Sequence, residues 1–263
     1  MARKYSDEEL RNLIKYKSKL VDSCTICNGS GYIIDDETGL DTLCDCMMVF
    51  RYIKALVTAH IPVEYWQLRL SELTDVEKKY RDFIKRYLEH FENAINQALG
   101  VFFLGTNGIG KTALMCEIGK FAIIKGFDVC YFTAQQYISS YHKDDTDRYS
   151  FSQIILLDEL DKAYMKEGST FVPKVIEDFL RRVISKGKIV VAASNEDLKE
   201  LTSVFGASTI SMIRRHLKII GMQGEDRSDG MQRHWMRLLE TDYDFMHPAI
   251  VRMAKLKKEH DED

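Results

Sequence analysis

The sequence predicts an α/β fold in which a parallel sheet lies between helices, preceded by a small cysteine-bearing N-terminal domain. Three observations carry this expectation. From Gly100 onward, short apolar runs alternate with amphipathic stretches. A glycine-rich loop, GTNGIGKT at 105–112, stands between one such run and a helical pattern. Two acids, Asp158 and Glu159, close another run, at the end of the strand where open α/β sheets hold their ligands.

A chain of 263 residues with 45% hydrophobic composition can bury one main core of roughly 150 residues and carry smaller flanking pieces. Its 37 basic and 40 acidic residues give a formal net charge of -3. That balance excludes a uniformly basic nucleic-acid coat and leaves room for a local basic patch. No apolar run reaches membrane-spanning length. The start, MARKYSDEELRNLIKYKSKL, lacks the continuous apolar stretch of a signal peptide, so a cytoplasmic location and no membrane partner are expected.

Taken in order, residues 1–22 read as an amphipathic helix through Leu10, Leu13, Ile14 and Leu20. Residues 23–48 form a cysteine knuckle, and 49–98 are mostly helical with an interruption at Ile61-Pro62. Tyr80, Phe83, Ile84, Tyr87, Leu88, Phe91 and Ile95 make one helical stripe able to bury itself while the Glu and Lys residues stay wet. VFFL (101–104), DVCYF (128–132), IILLD (154–158) and KIVVAAS (188–194) read as buried parallel strands, and LKIIGM (217–222) as an edge or fifth strand. GEDRSDG (224–230) is a turn or loop. The charged tail from Met231 is expected to be helical near Trp235 and to break at His247-Pro248. The expected organisation is therefore a helical and cysteine-bearing domain over 1–60, a linker and helical approach over 61–99, the core over 100–230, and a helical extension over 231–263.

Four of the six cysteines are gathered as CTIC (24–27) and CDC (44–46), separated by sixteen residues. Four thiolates are a full tetrahedral set for structural zinc, making Cys24, Cys27, Cys44 and Cys46 the candidate ligands. Gly29 and Gly31 permit the tight turning that brings backbone N–H groups toward the sulfurs. So short a segment cannot bury a core alone, and metal would supply its folding energy. Disulfides and a metal-free loop are the other readings, with nothing here pointing to a secreted chain. The CxxCxGxG start also resembles the zinc centre of DnaJ chaperones, although only one such motif is present. A closed site of four cysteines has no open position and is assigned no catalysis. Cys116 and Cys130 sit among apolar residues and read as core thiols.

The loop Gly105, Thr106, Asn107, Gly108, Ile109, Gly110, Lys111, Thr112 is a Walker A pattern in its strand–loop–helix setting. Its glycines let several N–H groups converge on phosphate oxygens. The helix that begins at Lys111 and runs on through Ala113 offers its free N–H groups and positive dipole end to the same charge. Lys111 would sit over the β and γ phosphates of ATP or ADP, and Thr112 would ligate Mg²⁺. Asp158 would hold that magnesium through water, and Glu159 would orient or deprotonate the attacking water. Asn195, or its neighbour Ser194, would hydrogen-bond the attacking water or the γ-phosphate. Phosphoryl transfer also needs a cation where charge develops, commonly an arginine from a neighbouring subunit. Arg214 is favoured and Arg215 is its rival, since adjacent helical residues point about 100° apart. Arg227 is a weaker candidate that could instead serve the phosphates of its own subunit.

With these residues in hand, the chain resembles the helicase loaders of the AAA+ superfamily, the DnaC/DnaI-like group that includes transposition helpers of the IstB type. IPVEYWQLRL (61–70), GTNGIGKTAL (105–114), IILLDEL (154–160) and VVAASN (190–195) carry the likeness. FGASTISMIRR (205–215) and GEDR (224–227) resemble the arginine-finger segment and the residues beyond it. Relatives often place an arginine directly after the residue equivalent to Ser211, where this chain has Met212. The resemblance implies an AAA+ P-loop NTPase core and an N-terminal domain that grips a hexameric replicative helicase. It also implies ATPase domains that assemble as a spiral homo-oligomer on single-stranded DNA, in the cytoplasm of a bacterium or, for a phage gene, of its host.

Phe132, Tyr137, Tyr141, His142 and Lys143 follow a strand and combine rings with positive charge, so they could touch single-stranded DNA; packing and solvation explain them almost as well. Three functions compete: ATP-dependent loading of a replicative helicase, an ATPase helper of a transposase or other DNA-remodelling complex, and a zinc and nucleotide-binding adaptor that barely hydrolyses. Hydrolysis in the first two would be slow until the protein assembles with its partners.

Overall fold

The computed structural model describes residues 5–34, 39, 41–143, 145–146, 149, 151–163, 171–227 and 251. The expected features of the tail, the helix near Trp235 and the break at His247-Pro248, lie outside the described residues.

Helix α1 (Asp7–Lys17) opens on a capping box, with the Ser6 side chain accepting from Glu9 N–H and the Glu9 side chain accepting from Ser6 N–H. It runs into a π-helical turn, Ser18–Asp22. Strands β1 (Tyr32–Ile34) and β2 (Asp41–Leu43) pair antiparallel as a small hairpin. Helix α2 (Asp45–Thr58) follows, burying Val49, Tyr52, Ile53 and Leu56.

The stripe expected as one helix forms two, α3 (Lys78–Glu89) and α4 (Phe91–Asn96), because His90 leaves helical geometry at φ -111°. Tyr80, Ile84, Tyr87 and Phe91 still face inward. The periodicity identified the buried side without revealing the break.

The main sheet comprises β3 (Gly100–Leu104), β4 (Val129–Thr133), β5 (Ile154–Asp158), β6 (Ile189–Ser194) and β7 (Leu217–Gly221). All its pairings are parallel, in the order β4-β5-β6-β3-β7. LKIIGM is thus the edge strand beside β3. Helices α5 (Lys111–Ile124), α6 (Ala134–Tyr141), α7 (Phe171–Ser185) and α8 (Leu198–His216) make the crossovers. Gly206 interrupts α8 with φ 75° and ψ 158°, a left-handed conformation that glycine adopts without a Cβ clash.

Strand residues alternate between two cores. Val101 and Phe103 join Leu156, Val191 and the α5 residues Leu114, Cys116 and Ile118. Phe102 and Leu104 join Leu157, Ala192 and the α7 residues Ile176, Phe179 and Val183. Burying each such large side chain contributes roughly 1.5–3 kcal/mol, and burial on both faces is why these strands read as continuous apolar runs rather than alternating ones.

The first core extends past the sheet into Leu20, Val21, Cys44, Val49 and Tyr52, so the N-terminal elements and the P-loop helix share one apolar cluster. The approach segment is fixed to the same helix by a buried ion pair. Lys120 pairs with Glu117 and donates to the carbonyls of Tyr65 (2.8 Å) and Leu68, while Leu70 N–H donates to Glu117 Oε2 at 3.1 Å. Among the described residues no helix is long and apolar enough to cross a membrane.

Candidate functional site

The chain leaves β3 through the glycine loop into α5, then crosses two strands to reach β4 at the far edge. That reversal leaves a crevice at the carboxyl ends of β3, β5 and β6. In it lies a cleft of about 350 Å³ lined by Asn107, Gly108, Gly110, Lys111, Thr112, Ala113, Asp158, Glu159, Asp161, Ser194, Asn195, Tyr65 and Arg227. Of the remaining loop residues, Ile109 is buried beneath it and Gly105 approaches the β7 exit so closely that a Cβ would lie 2.4 Å from the Met222 carbonyl. Gly110, the N-cap of α5, is left-handed at φ 96°, and a Cβ there would meet Val76 at 2.7 Å and Arg227 at 3.0 Å.

Strand register sets the depth of each polar group. Leu104 lies opposite Ser194, so the loop begins beside Asn195. Lys111 Nζ donates to the carbonyls of Gly105 and Thr106, both at 2.6 Å, and to Asn195 Oδ1 at 2.9 Å. Burial lowers its pKa from the ordinary lysine value, and Asp158 and Asp161 oppose the shift. Thr112 Oγ1 donates to Asp158 Oδ2 at 2.8 Å, and the Tyr131 hydroxyl donates to the same oxygen at 2.9 Å. Asp158 Oδ1 accepts from Glu159 N–H at 2.8 Å. Burial raises the Asp158 carboxyl above the usual range, while the hydrogen bonds from Thr112, Glu159 and Tyr131 pull the other way. Tyr131 is itself pushed well above the ordinary phenol value, first by burial and then by the Asp158 charge.

Glu159 adopts φ 52°, uncommon for a residue with a Cβ, and its carboxylate pairs with Lys162. Asn195 is gripped by Asp161, which accepts from its backbone N–H at 2.9 Å and its side-chain Nδ2 at 2.8 Å. Ser194 Oγ instead accepts from Glu196 N–H. Arg227 is 8% exposed, with its N–H donating to the Gly108 carbonyl at 2.9 Å. Its Nε has no hydrogen-bond partner among the described residues, and the Asp75 carboxylate lies 3.8 Å away.

The candidates from the sequence are thus brought together, Arg214 excepted. Arg214 and Arg215 are exposed in the last turn of α8, and neither lines the cleft, whereas Met212 is buried. Sequence reasoning missed Asp161, Tyr131 and Tyr65. Asp161 carried a readable signal, as an acid three residues after Asp158; the tyrosines carried none, since on a strand or approach segment a tyrosine reads as packing. The proposed DNA cluster needs correction. Phe132 and Tyr137 are each 1% exposed and stack with Phe179 and Tyr149, because β4 and α6 turn them into the second core. Of that group, Tyr141, His142 and Lys143 reach the surface.

A second constellation lies at the N-terminal hairpin. The sulfurs of Cys24, Cys27, Cys44 and Cys46 all lie within 4.8 Å of one another, with Cys24–Cys44 at 3.8 Å and Cys27–Cys46 at 3.5 Å. Tetrahedral zinc with bonds of about 2.3 Å requires edges of about 3.8 Å, so the set fits zinc. None is disulfide-bonded. Gly31, at φ 80°, donates its N–H to Cys27 Sγ at 3.2 Å. Burial disfavours the Cys27 thiolate, yet that N–H and the neighbouring thiols outweigh it and bring its pKa to about 6. Cys116 and Cys130 are core thiols, as expected.

No family model and no curated protein matches the chain. Solved structures do. The chain is similar to the DnaC helicase loader, with a TM-score of 0.54 and 18% identity over 61% of this chain and 99% of that one. It is also similar to DnaI, with a TM-score of 0.51 and 18% identity over 63% of this chain and 93% of the other. Domain III of the Thermotoga maritima replication initiation protein DnaA gives 0.52 and 17%, over 75% and 86%. At such identities the likeness establishes the fold alone, a five-stranded parallel sheet between helices.

Proposed function

We propose that this chain binds ATP with magnesium in the cleft at Lys111 and hydrolyses it to load a hexameric replicative helicase onto single-stranded DNA. The observation that carries the nucleotide reading is the meeting of Thr112 and Asp158 at 2.8 Å beside Lys111 and Asn195. It sets a hydroxyl and a buried carboxylate within reach of one cation, next to an ammonium and a run of free helix N–H groups.

In this reading the backbone from Gly105 to Gly110, with Ala113 behind it, wraps the phosphates, and Lys111 gives up neutral carbonyl partners for charged oxygens. Thr112 and Asp158 are the residues that would hold magnesium, which neutralises phosphate charge when bound. Tyr131 steadies the Asp158 carboxylate. Glu159 orients or deprotonates the attacking water once it exchanges Lys162 for that water. Arg227, buried with an Nε that makes no hydrogen bond, supplies a cation from the same subunit. Arg214, on the surface, acts on the nucleotide of a neighbouring subunit in the homo-oligomer. Cys24, Cys27, Cys44 and Cys46 hold a structural zinc that supports the N-terminal hairpin.

The helicase assignment is supported by the sequence likeness and by the shared fold with a helicase loader and a replication initiation protein. Purified protein mixed with replicative helicase and weighed by light scattering, with ATP and with ADP, tests it. A nucleotide-dependent complex is the expected result. ATP hydrolysis with no such complex would sink the loader reading and favour a helper of a transposase or another DNA-remodelling assembly.

A further inference from the structure

Resting on the ATPase reading above, we infer that Asp161 is a positioning residue that locks the Asn195 amide with its oxygen toward the cleft, where that oxygen accepts a hydrogen bond from the attacking water.

Two independent partners fix which way the amide faces. Lys111 Nζ lies 2.9 Å from one end of it; an ammonium only donates, so that end is the oxygen. The other end lies 2.8 Å from Asp161 Oδ2; an ionised carboxylate only accepts, so that end is the nitrogen. The backbone N–H of Asn195 occupies the second Asp161 oxygen at 2.9 Å, which leaves the carboxylate no freedom to turn. Asp161 is 4% exposed and sits in the 3-10 turn Leu160–Ala163 that β5 throws beside β6, so the clamp is anchored to the sheet.

A triphosphate draws Lys111 away, because charged phosphate oxygens are stronger acceptors than a neutral amide. It does not loosen Asp161, which bonds the opposite end of Asn195. The oxygen that faced Lys111 is then free toward the cleft while one N–H of the amide stays on Asp161. An acceptor in that place suits a water that must release a proton.

The test is an exchange of the two side chains. Asp161→Asn alone forces the Asn195 amide to turn, since two NH₂ groups cannot face each other, and it presents a donor to the cleft. Asn195→Asp alone sets two carboxylates together. The double exchange, Asp161→Asn with Asn195→Asp, restores the pairing and still directs an oxygen at the water. Single-turnover hydrolysis is expected to fall at least about tenfold in each single variant and to return within about fivefold of native in the double. A double variant no faster than the singles overturns the inference. Failure of the ATPase reading would look different: native protein would bind no nucleotide, and melting temperatures alone would then report the pairing. There the double exchange must regain what the singles lose, or the clamp itself is refuted.

Discussion

The cleft at Lys111 and the cysteine hairpin are both polar sites, but they are built on opposite principles. In the cleft, Lys111, Thr112, Asp158 and Asn195 each find protein partners, and the loops that carry them spring from strands buried on both faces. At the hairpin, the sulfurs face chiefly one another, and Ile26, Tyr32, Ile33 and Ile34 around them are exposed. A sheet core fixes backbone positions well enough to preassemble a site before its ligand arrives. A short hairpin has too little apolar cover for that and needs the ligand itself to organise it.

Removing metal should therefore separate the two regions most sharply. Apparent binding energies of structural zinc are about 10–16 kcal/mol at neutral pH. Native mass spectrometry is expected to find one zinc per chain, lost in the Cys24→Ser, Cys27→Ser double variant, while ATP affinity changes by less than about threefold. Equal loss of nucleotide binding would show that the hairpin and the cleft are one unit, as the shared apolar cluster would then suggest.

The cleft has its own internal support, and Lys120→Met tests it. The change leaves Glu117 buried without its cation, at an expected loss of about 3–5 kcal/mol in a urea titration. A loss below about 1 kcal/mol would mean the approach segment is held by packing alone.

Glu159→Gln should lower hydrolysis by about 10²–10³-fold with ATP affinity retained, a split that a stability defect would not produce. An unchanged rate would favour the adaptor that binds ATP but barely turns it over. Arg214→Ala should leave the slow rate of dilute protein within about twofold and remove most of the stimulation seen with helicase or DNA, with Arg215→Ala as the internal comparison.

The smallest expected effect is on stability. Burial raises the Asp158 carboxyl above its unfolded value, so the folded state favours the neutral acid. Stability from this group is present below the unfolded pKa and is lost as pH climbs through the folded one. Asp158→Asn should then melt a few degrees higher than native protein at neutral pH, with the gain shrinking as the solution is acidified. A gain independent of pH would argue that Thr112, Tyr131 and Glu159 N–H hold the carboxylate comfortably.

Much of the cleft was readable because its groups are local in the chain. GTNGIGKT names its own geometry, and IILLDEL places two acids at the end of a buried run. Ser194 and Asn195 were readable as the end of a strand, with Asn195 favoured; both line the cleft, and the bond from Lys111 falls on Asn195. The hydroxyl of Tyr131 was invisible for the opposite reason. It reaches Asp158 only because β4 and β5 are neighbours, a pairing between runs about 25 residues apart that periodicity does not encode. Phe132 and Tyr137 were left open between DNA contact and packing for the same reason, since the second core exists only once α7 covers β4.

The sequence by itself determined the parallel strands, the glycine loop, the four gathered cysteines and the buried side of the stripe from Tyr80 to Phe91, although Leu10 and Ile14, read as part of the apolar face of α1, are exposed. These depend on neighbours within a few residues, where backbone sterics and side-chain periodicity act directly. Only the tertiary structure decided the strand order, the packing of α2 against the P-loop helix, the burial of Arg227 beside Gly110 and the grip of Asp161 on Asn195. Each of these is a contact between segments distant in the chain. Apolar burial rewards any well-packed partner without naming one, so shape and register had to make the choice.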